Sequence, residues 1–168
     1  MKIRLKQFVP RHMTGEVQSD TLTTVKVRDV EYLIDEPRAR GGTNLGPAPT
    51  EAMLGALIGC TAVVSQKIAK KIGVAFDAMT IDLEATLDQR GLTLDTDVAL
   101  PFPKIVLNIE VTTEATDEEM ETIKADLRRF CAVATTFRAA GTEIEEVWTV
   151  SRPKEKAGAQ TGLSQETV

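Results

Sequence analysis

The chain has 168 residues, 42% hydrophobic and 27% charged, with a formal net charge of −5. This is the composition of an ordinary globular domain and excludes a disordered or membrane-embedded chain. With no basic tract and a single Trp and Tyr, no clustered cationic face is available to bind nucleic acid. The purely apolar run around Cys60 is shorter than the roughly 18–20 residues that cross a bilayer. The N-terminal MKIRLKQFVPRH has no secretory apolar core, so a cytoplasmic, non-membrane location is expected. Aromatics are only 4%, so the core must be aliphatic and small, a kind that leans on a partner subunit for burial.

In chain order, residues 1–8 alternate weakly and suggest an edge strand. Residues 23–34 (TTVKVRDVEYLI) place β-branched residues on both sides of Arg28-Asp29 and predict a strand pair or one bent strand. The Gly- and Pro-rich 35–50 predict a loop. Thr50 is the expected cap of a helix that begins at Glu51. From Ala52 to Val64 that helix lacks a hydrophilic face, which predicts a helix wrapped by protein on all sides. Its small-residue stripe, Ala52, Gly55, Ala56, Gly59 and Cys60, predicts close approach of another backbone. Lys67, Lys70 and Lys71 suit its C-terminus, and Gly73 stops it.

Residues 79–87 and 105–112 alternate as half-buried strands of an antiparallel sheet. They flank a turn at Asp88–Gly91, after which 92–94 resume an extended pattern. Thr116 and Glu119 spell a capping box. In the helix that follows, Met120, Ile123, Leu127, Phe130 and Cys131 share one apolar stripe. Residues 144–150 form a last strand, and from Arg152 onward the periodicity disappears. The expected class is α+β, with a domain over 1–151 and a flexible tail over 152–168.

The chemistry-bearing residues are few. Two cysteines 71 positions apart and a single histidine, His12, match no zinc spacing. There is no second histidine or Gly-x-Ser-x-Gly for a hydrolytic triad, and no phosphate-cradling glycine loop. Thiol and carboxylate chemistry remain. Cys60 reads in two ways. It is an inert small hydrophobe of an apolar helix, or a thiolate that needs a nearby cation because burial opposes ionisation. Arg28, Arg38 and Arg40 are the available guanidiniums, while Lys67 points off the Cys60 face. His12 reads as a surface residue.

The pattern Gly41-Gly42, Gly46-Pro47, Pro49, Glu51, Leu54, Gly59-Cys60 resembles the OsmC/Ohr superfamily of osmotically inducible and organic hydroperoxide resistance proteins. The resemblance continues through Asp88-x-Arg90-Gly91, Pro101-Phe102, Phe130-Cys131-Ala132-Val133 and Trp148, covering about residues 20–150. It implies an intertwined homodimer with antiparallel sheets around two central cysteine-bearing helices. Cys60 would be the peroxidatic thiolate that reduces an organic hydroperoxide, and Cys131 the resolving thiol that closes a disulfide. No cofactor or metal is implied, and the reductant would be an external dithiol such as a lipoyl protein. The family's peroxidases place an arginine–glutamate pair over the thiolate. Here Glu51 stands nine residues before Cys60, about 13.5 Å along a straight helix, and Arg38 and Arg28 substitute by position only. Apolar walls from Met53, Leu57, Val64 and Phe130 would favour hydrophobic peroxides. The rival readings are a non-catalytic ligand-binding module and a redox sensor on the same scaffold.

Overall fold

The computed structural model describes residues 7–153. Of the strand expected over 1–8, residues 1–6 lie outside the described residues, and Gln7 and Phe8 are not in a strand. All but the first two residues of the expected tail also lie outside the described residues. The chain divides into two compact units, up to Gly59 and from Cys60 onward.

The first unit is built on an antiparallel meander of β1 (Thr14–Val17), β2 (Thr23–Val27) and β3 (Val30–Ile34). Val27 pairs with Val30, so Arg28-Asp29 is a two-residue turn. Such turns need a left-handed residue, and Arg28 supplies it with φ 55°.

The loop that follows is ordered by one carboxylate. Asp35 is fully buried. Its Oδ1 accepts the Glu36 amide at 2.8 Å, and its Oδ2 accepts the Thr43 amide, the Thr43 hydroxyl and the Leu45 amide at 3.0, 2.5 and 3.1 Å. These donors hold the Asp35 carboxyl well below the usual carboxylate range, the Thr43 hydroxyl most of all. Inside the clamp Arg38–Arg40 make a single 3-10 turn closed by Gly41 at φ 85°.

Helix α1 (Pro49–Ile72) begins two residues earlier than the sequence suggests. Ala48, not Thr50, is the boundary residue: its carbonyl accepts the Ala52 amide at 2.8 Å, and its amide donates to Glu51 Oε2 at 2.8 Å. Proline suits the first helical position because its missing N–H would be unpaired there anyway. Gly73, at φ 85°, ends the helix.

The expectation that α1 is wrapped on all sides does not hold within the chain. Only 28% of its most apolar 18-residue window is buried, and by length and composition the helix could cross a membrane. Leu57, Thr61, Ser65, Ile68 and Ala69 are buried by the chain itself. Gly55, Ala56, Gly59 and Val63 are exposed, and a Cβ on Gly55 or Gly59 would meet nothing within 4 Å.

The second unit carries a sheet ordered β4-β5-β6, from Ala78–Thr86, Lys104–Thr112 and Glu143–Ser151. The β4/β5 pair is antiparallel as expected, but β5/β6 is parallel. A parallel pair needs a long crossover, here α2 (Asp117–Phe130) and α3 (Ala132–Ala139). The Thr116–Glu119 capping box is complete. Residues 92–94 do not extend, because Gln89–Thr93 form a 3-10 turn behind the Asp88 cap. Ile105, Leu107, Ile109 and Val111 of β5 are buried, as are Met120, Ile123 and Leu127 of α2 and Ala134 and Phe137 of α3. Phe137 packs edge-on against Phe102 with ring centroids 5.8 Å apart. Arg138 reaches from α3 to Glu146 on β6 at 2.6 Å. Just past β6, Arg152 donates to the Thr113 and Ala115 carbonyls.

Candidate active site

Cys131 does not lie on the apolar stripe of a continuous helix. The helix breaks at this residue, which ends α2 and begins α3 with φ −73° and ψ 100°. Its amide still donates to Leu127 at 3.0 Å, and its carbonyl accepts the Thr135 amide at 2.9 Å. The break frees carbonyls at the end of α2, and Arg138 Nη1 takes up that of Arg128 at 3.4 Å. Phe130, expected on the same buried stripe, is instead 53% exposed.

The break turns Cys131 towards α1. The Cys60 and Cys131 sulfurs are 3.0 Å apart, with the Cys131 thiol donating. Both are free thiols. A disulfide measures about 2.05 Å, so about 1 Å of movement separates this pair from a bond. The two sulfurs are not equivalent. Cys131 is 0% exposed, whereas Cys60 is partly accessible. Burial, and secondarily the contact with Cys60, push the Cys131 thiol up to about 11. A thiol held protonated is a poor first nucleophile.

Lys67, expected to point off the Cys60 face, lies on it, because seven residues fall only about 20° short of two full turns: Cys60, Val64, Lys67 and Lys71 fall within about 60° of one another around α1. Beyond Cys60 this side opens into a groove of about 320 Å3 lined by Val64, Lys67, Ile68, Lys71, Asp126 and Phe130. The Arg129 guanidinium lies 5.0 Å over the Phe130 ring and binds Asp126 at 3.0 Å. Of the walls expected from sequence, Val64 and Phe130 line this groove, and Met53 is exposed. Leu57 is fully buried and does not line this groove.

The remaining sequence candidates sit in the first unit. Glu51 is engaged with the Ala48 amide at the start of α1. Arg40 binds Glu36 at 2.6 Å. Arg28 tops the β2–β3 turn and Arg38 opens the 3-10 turn, and among the described residues neither has an ion-pair partner. His12 is exposed. Among the described residues no cluster of His, Cys, Asp and Glu could hold a metal ion. Sequence reasoning missed Asp35. An acid immediately before a Gly- and Thr-containing loop signals at most the contact with the adjacent Glu36 amide, not the bonds to Thr43 and Leu45.

Fold and site together define an α+β protein with a contacting dithiol at a helix break. The chain belongs to the OsmC-like family: the family described as OsmC-like protein matches residues 42–147. No curated protein matches in sequence. Solved structures do match in fold. An OsmC-like protein from Mycoplasma pneumoniae aligns at TM-score 0.72 and 16% identity, over 85% of this chain and 98% of that one. A Legionella pneumophila organic hydroperoxide resistance protein OsmC, a predicted redox protein, aligns at 0.59 and 15%, over 87% and 99%. The Bacillus subtilis organic hydroperoxide resistance protein OhrB aligns at 0.51 and 18%, over 85% and 98%.

Proposed function

We propose that this chain is a cysteine-based peroxidase that reduces organic hydroperoxides in oxidative stress defence. The observation that carries the reading is the 3.0 Å contact between one accessible and one buried thiol. The Cys60 thiolate attacks the terminal peroxide oxygen, the O–O bond breaks, and the alkoxide leaves and is protonated to an alcohol. Sulfur is oxidised by two electrons to a sulfenic acid. The Cys131 sulfur then displaces the sulfenic hydroxyl, its own proton departs with that hydroxyl as water, and a Cys60–Cys131 disulfide forms. An external dithiol, such as a lipoyl group carried on a protein, returns both thiols. No cofactor or metal enters the cycle, which runs in the cytoplasm.

The reading assigns Arg38 and Arg28 as the guanidiniums that support the Cys60 thiolate, with Glu51 as their orienter. It also takes a second copy of this chain as the cover for the exposed small-residue side of α1, in a homodimer. The apolar groove surface of Val64 and Phe130 favours organic hydroperoxides over hydrogen peroxide.

The test is a thiol count on reduced protein before and after a stoichiometric pulse of cumene hydroperoxide. Wild type should lose both thiols within seconds, Cys131→Ser should stop at a sulfenic acid, and Cys60→Ser should not react. Survival of both thiols in the wild type overturns the proposal.

A further inference from the structure

The groove beyond Cys60 is lined by apolar and cationic side chains. Val64, Ile68 and Phe130 line it with apolar surface, and the exposed Lys67 and Lys71 line it with positive charge. Arg129 adds a third cation over Phe130. The one groove carboxylate, Asp126, is already bound to Arg129. Among the described residues Lys67 and Lys71 have no ion-pair partner. The groove therefore carries a local positive excess on a chain whose net charge is −5. Uncompensated charge around an apolar patch is the signature of a surface that selects and steers a partner of opposite sign.

We infer that this groove is the docking surface for an acidic dithiol protein or peptide that reduces the Cys60–Cys131 disulfide. The inference rests on the peroxidase reading above.

Access decides which sulfur the reductant meets. Cys131 is fully buried, so the incoming thiolate must attack Cys60. A new bond forms between the reductant sulfur and Cys60, the Cys60–Cys131 bond breaks, and Cys131 leaves as a thiolate that takes up a proton. The second reductant thiol then attacks its neighbour's sulfur and expels Cys60. The reductant ends as a disulfide and the protein as two thiols. The first step expels a poor leaving group, because burial holds the Cys131 thiol high. A freely diffusing dithiol gains nothing to offset that, whereas a docked one acts at a raised effective concentration. Val64 lies one helical turn beyond Cys60, and Phe130 precedes Cys131 in sequence, so a chain seated in the groove is delivered to the Cys60 side of the pair.

The experiment starts from protein oxidised with diamide, its intramolecular disulfide verified by mass. Failure of that disulfide to form refutes the peroxidase reading, independently of docking. Reduction is then timed with three synthetic dithiol peptides that differ only in flanking Glu, Ser or Lys residues, each rate divided by that for dithiothreitol. The expected order is Glu, Ser, Lys, with about a tenfold span at low salt that collapses near 0.5 M salt. In Lys67→Glu/Lys71→Glu the order should invert. Equal rates for the three peptides on the wild type overturn the inference. So does a charge order that survives high salt. It is also overturned if the double variant keeps the wild-type order and instead raises KM for an anionic hydroperoxide, which would make the two lysines a substrate feature.

Discussion

The inequality of the two thiols makes a numerical prediction. Cys131 is displaced to about 11, first by burial and then by its contact with Cys60. At pH 8 an ordinary thiol of pKa near 8.5 is about a quarter ionised, whereas one at 11 is roughly 0.1% ionised, a ratio of roughly 250. Alkylation follows the thiolate, and Cys60→Ser removes the part of the shift owed to Cys60 but not the larger part owed to burial, so the lone Cys131 should react with iodoacetamide at least about tenfold more slowly than a free cysteine at pH 8. Its rate should keep climbing with pH, with no plateau below about 10. Burial, the larger cause, survives the Cys60→Ser change, and the lack of exposure of Cys131 adds to the delay. The assay is time-resolved intact-mass labelling from pH 7 to 10, with Cys131→Ser reporting Cys60. Labelling of Cys131 at the free-cysteine rate with a plateau near pH 8.5, or ahead of Cys60, would refute the burial argument and the assigned order of chemistry.

Four further outcomes follow from the rest of the molecule. Asp35 is held below its ordinary range by its donors, so its stabilisation is complete above about pH 5 and drains as pH falls through about 4 and below. Asp35→Asn should lower Tm at pH 7, and the gap from wild type should narrow as pH approaches 2; a gap independent of pH contradicts the clamp. A Cβ on Gly42 would lie 1.8 Å from the Glu36 carbonyl oxygen, so Gly42→Ala should cost about 2–4 kcal/mol in urea unfolding. Gly59 has open space around its Cβ position. Gly59→Leu should therefore meet no clash within its own chain but should dissociate the proposed dimer in analytical ultracentrifugation; a Gly59→Leu variant of unchanged mass removes this side of α1 from the interface. Thr116→Ala breaks a formed capping box and should cost about 1 kcal/mol by thermal unfolding.

What could be read without coordinates divides along physical lines. Period-two alternation in 105–112 identified the buried side of β5 correctly, because burial there depends on a single sheet face. The Thr116–Glu119 box was legible because capping is local. Three features were not. The parallel pairing of β5 with β6 is set by where a two-helix crossover lands, and strand composition does not encode that. The break at Cys131 carries no Gly or Pro, so the sequence 127–137 reads as one helix. The clamp at Asp35 gathers amides from residues up to ten positions away, beyond the reach of a turn rule. At the site, the resemblance singled out Cys60 and Cys131, but their 3.0 Å contact and unequal exposure are properties of the fold.

Helix α1 shows why an all-apolar pattern misleads. The absence of a polar face predicts complete burial only if a single core makes the demand. On α1 the apolar residues divide into three sides. Leu57, Thr61, Ser65, Ile68 and Ala69 are buried by the chain. Gly55, Ala56, Gly59 and Val63 lie exposed on a second side, small enough for another backbone to approach. Cys60, Val64, Lys67 and Lys71 occupy the third, and there the apolar character gives way to lysine within two turns of the cysteine. Had that third side served a core or a tight helix–helix contact, unpaired lysines would have been costly to desolvate. Their presence keeps that side wet and puts the Cys60 sulfur at the border between protein interior and solvent. A thiol that must meet an external peroxide and then a buried partner thiol needs both.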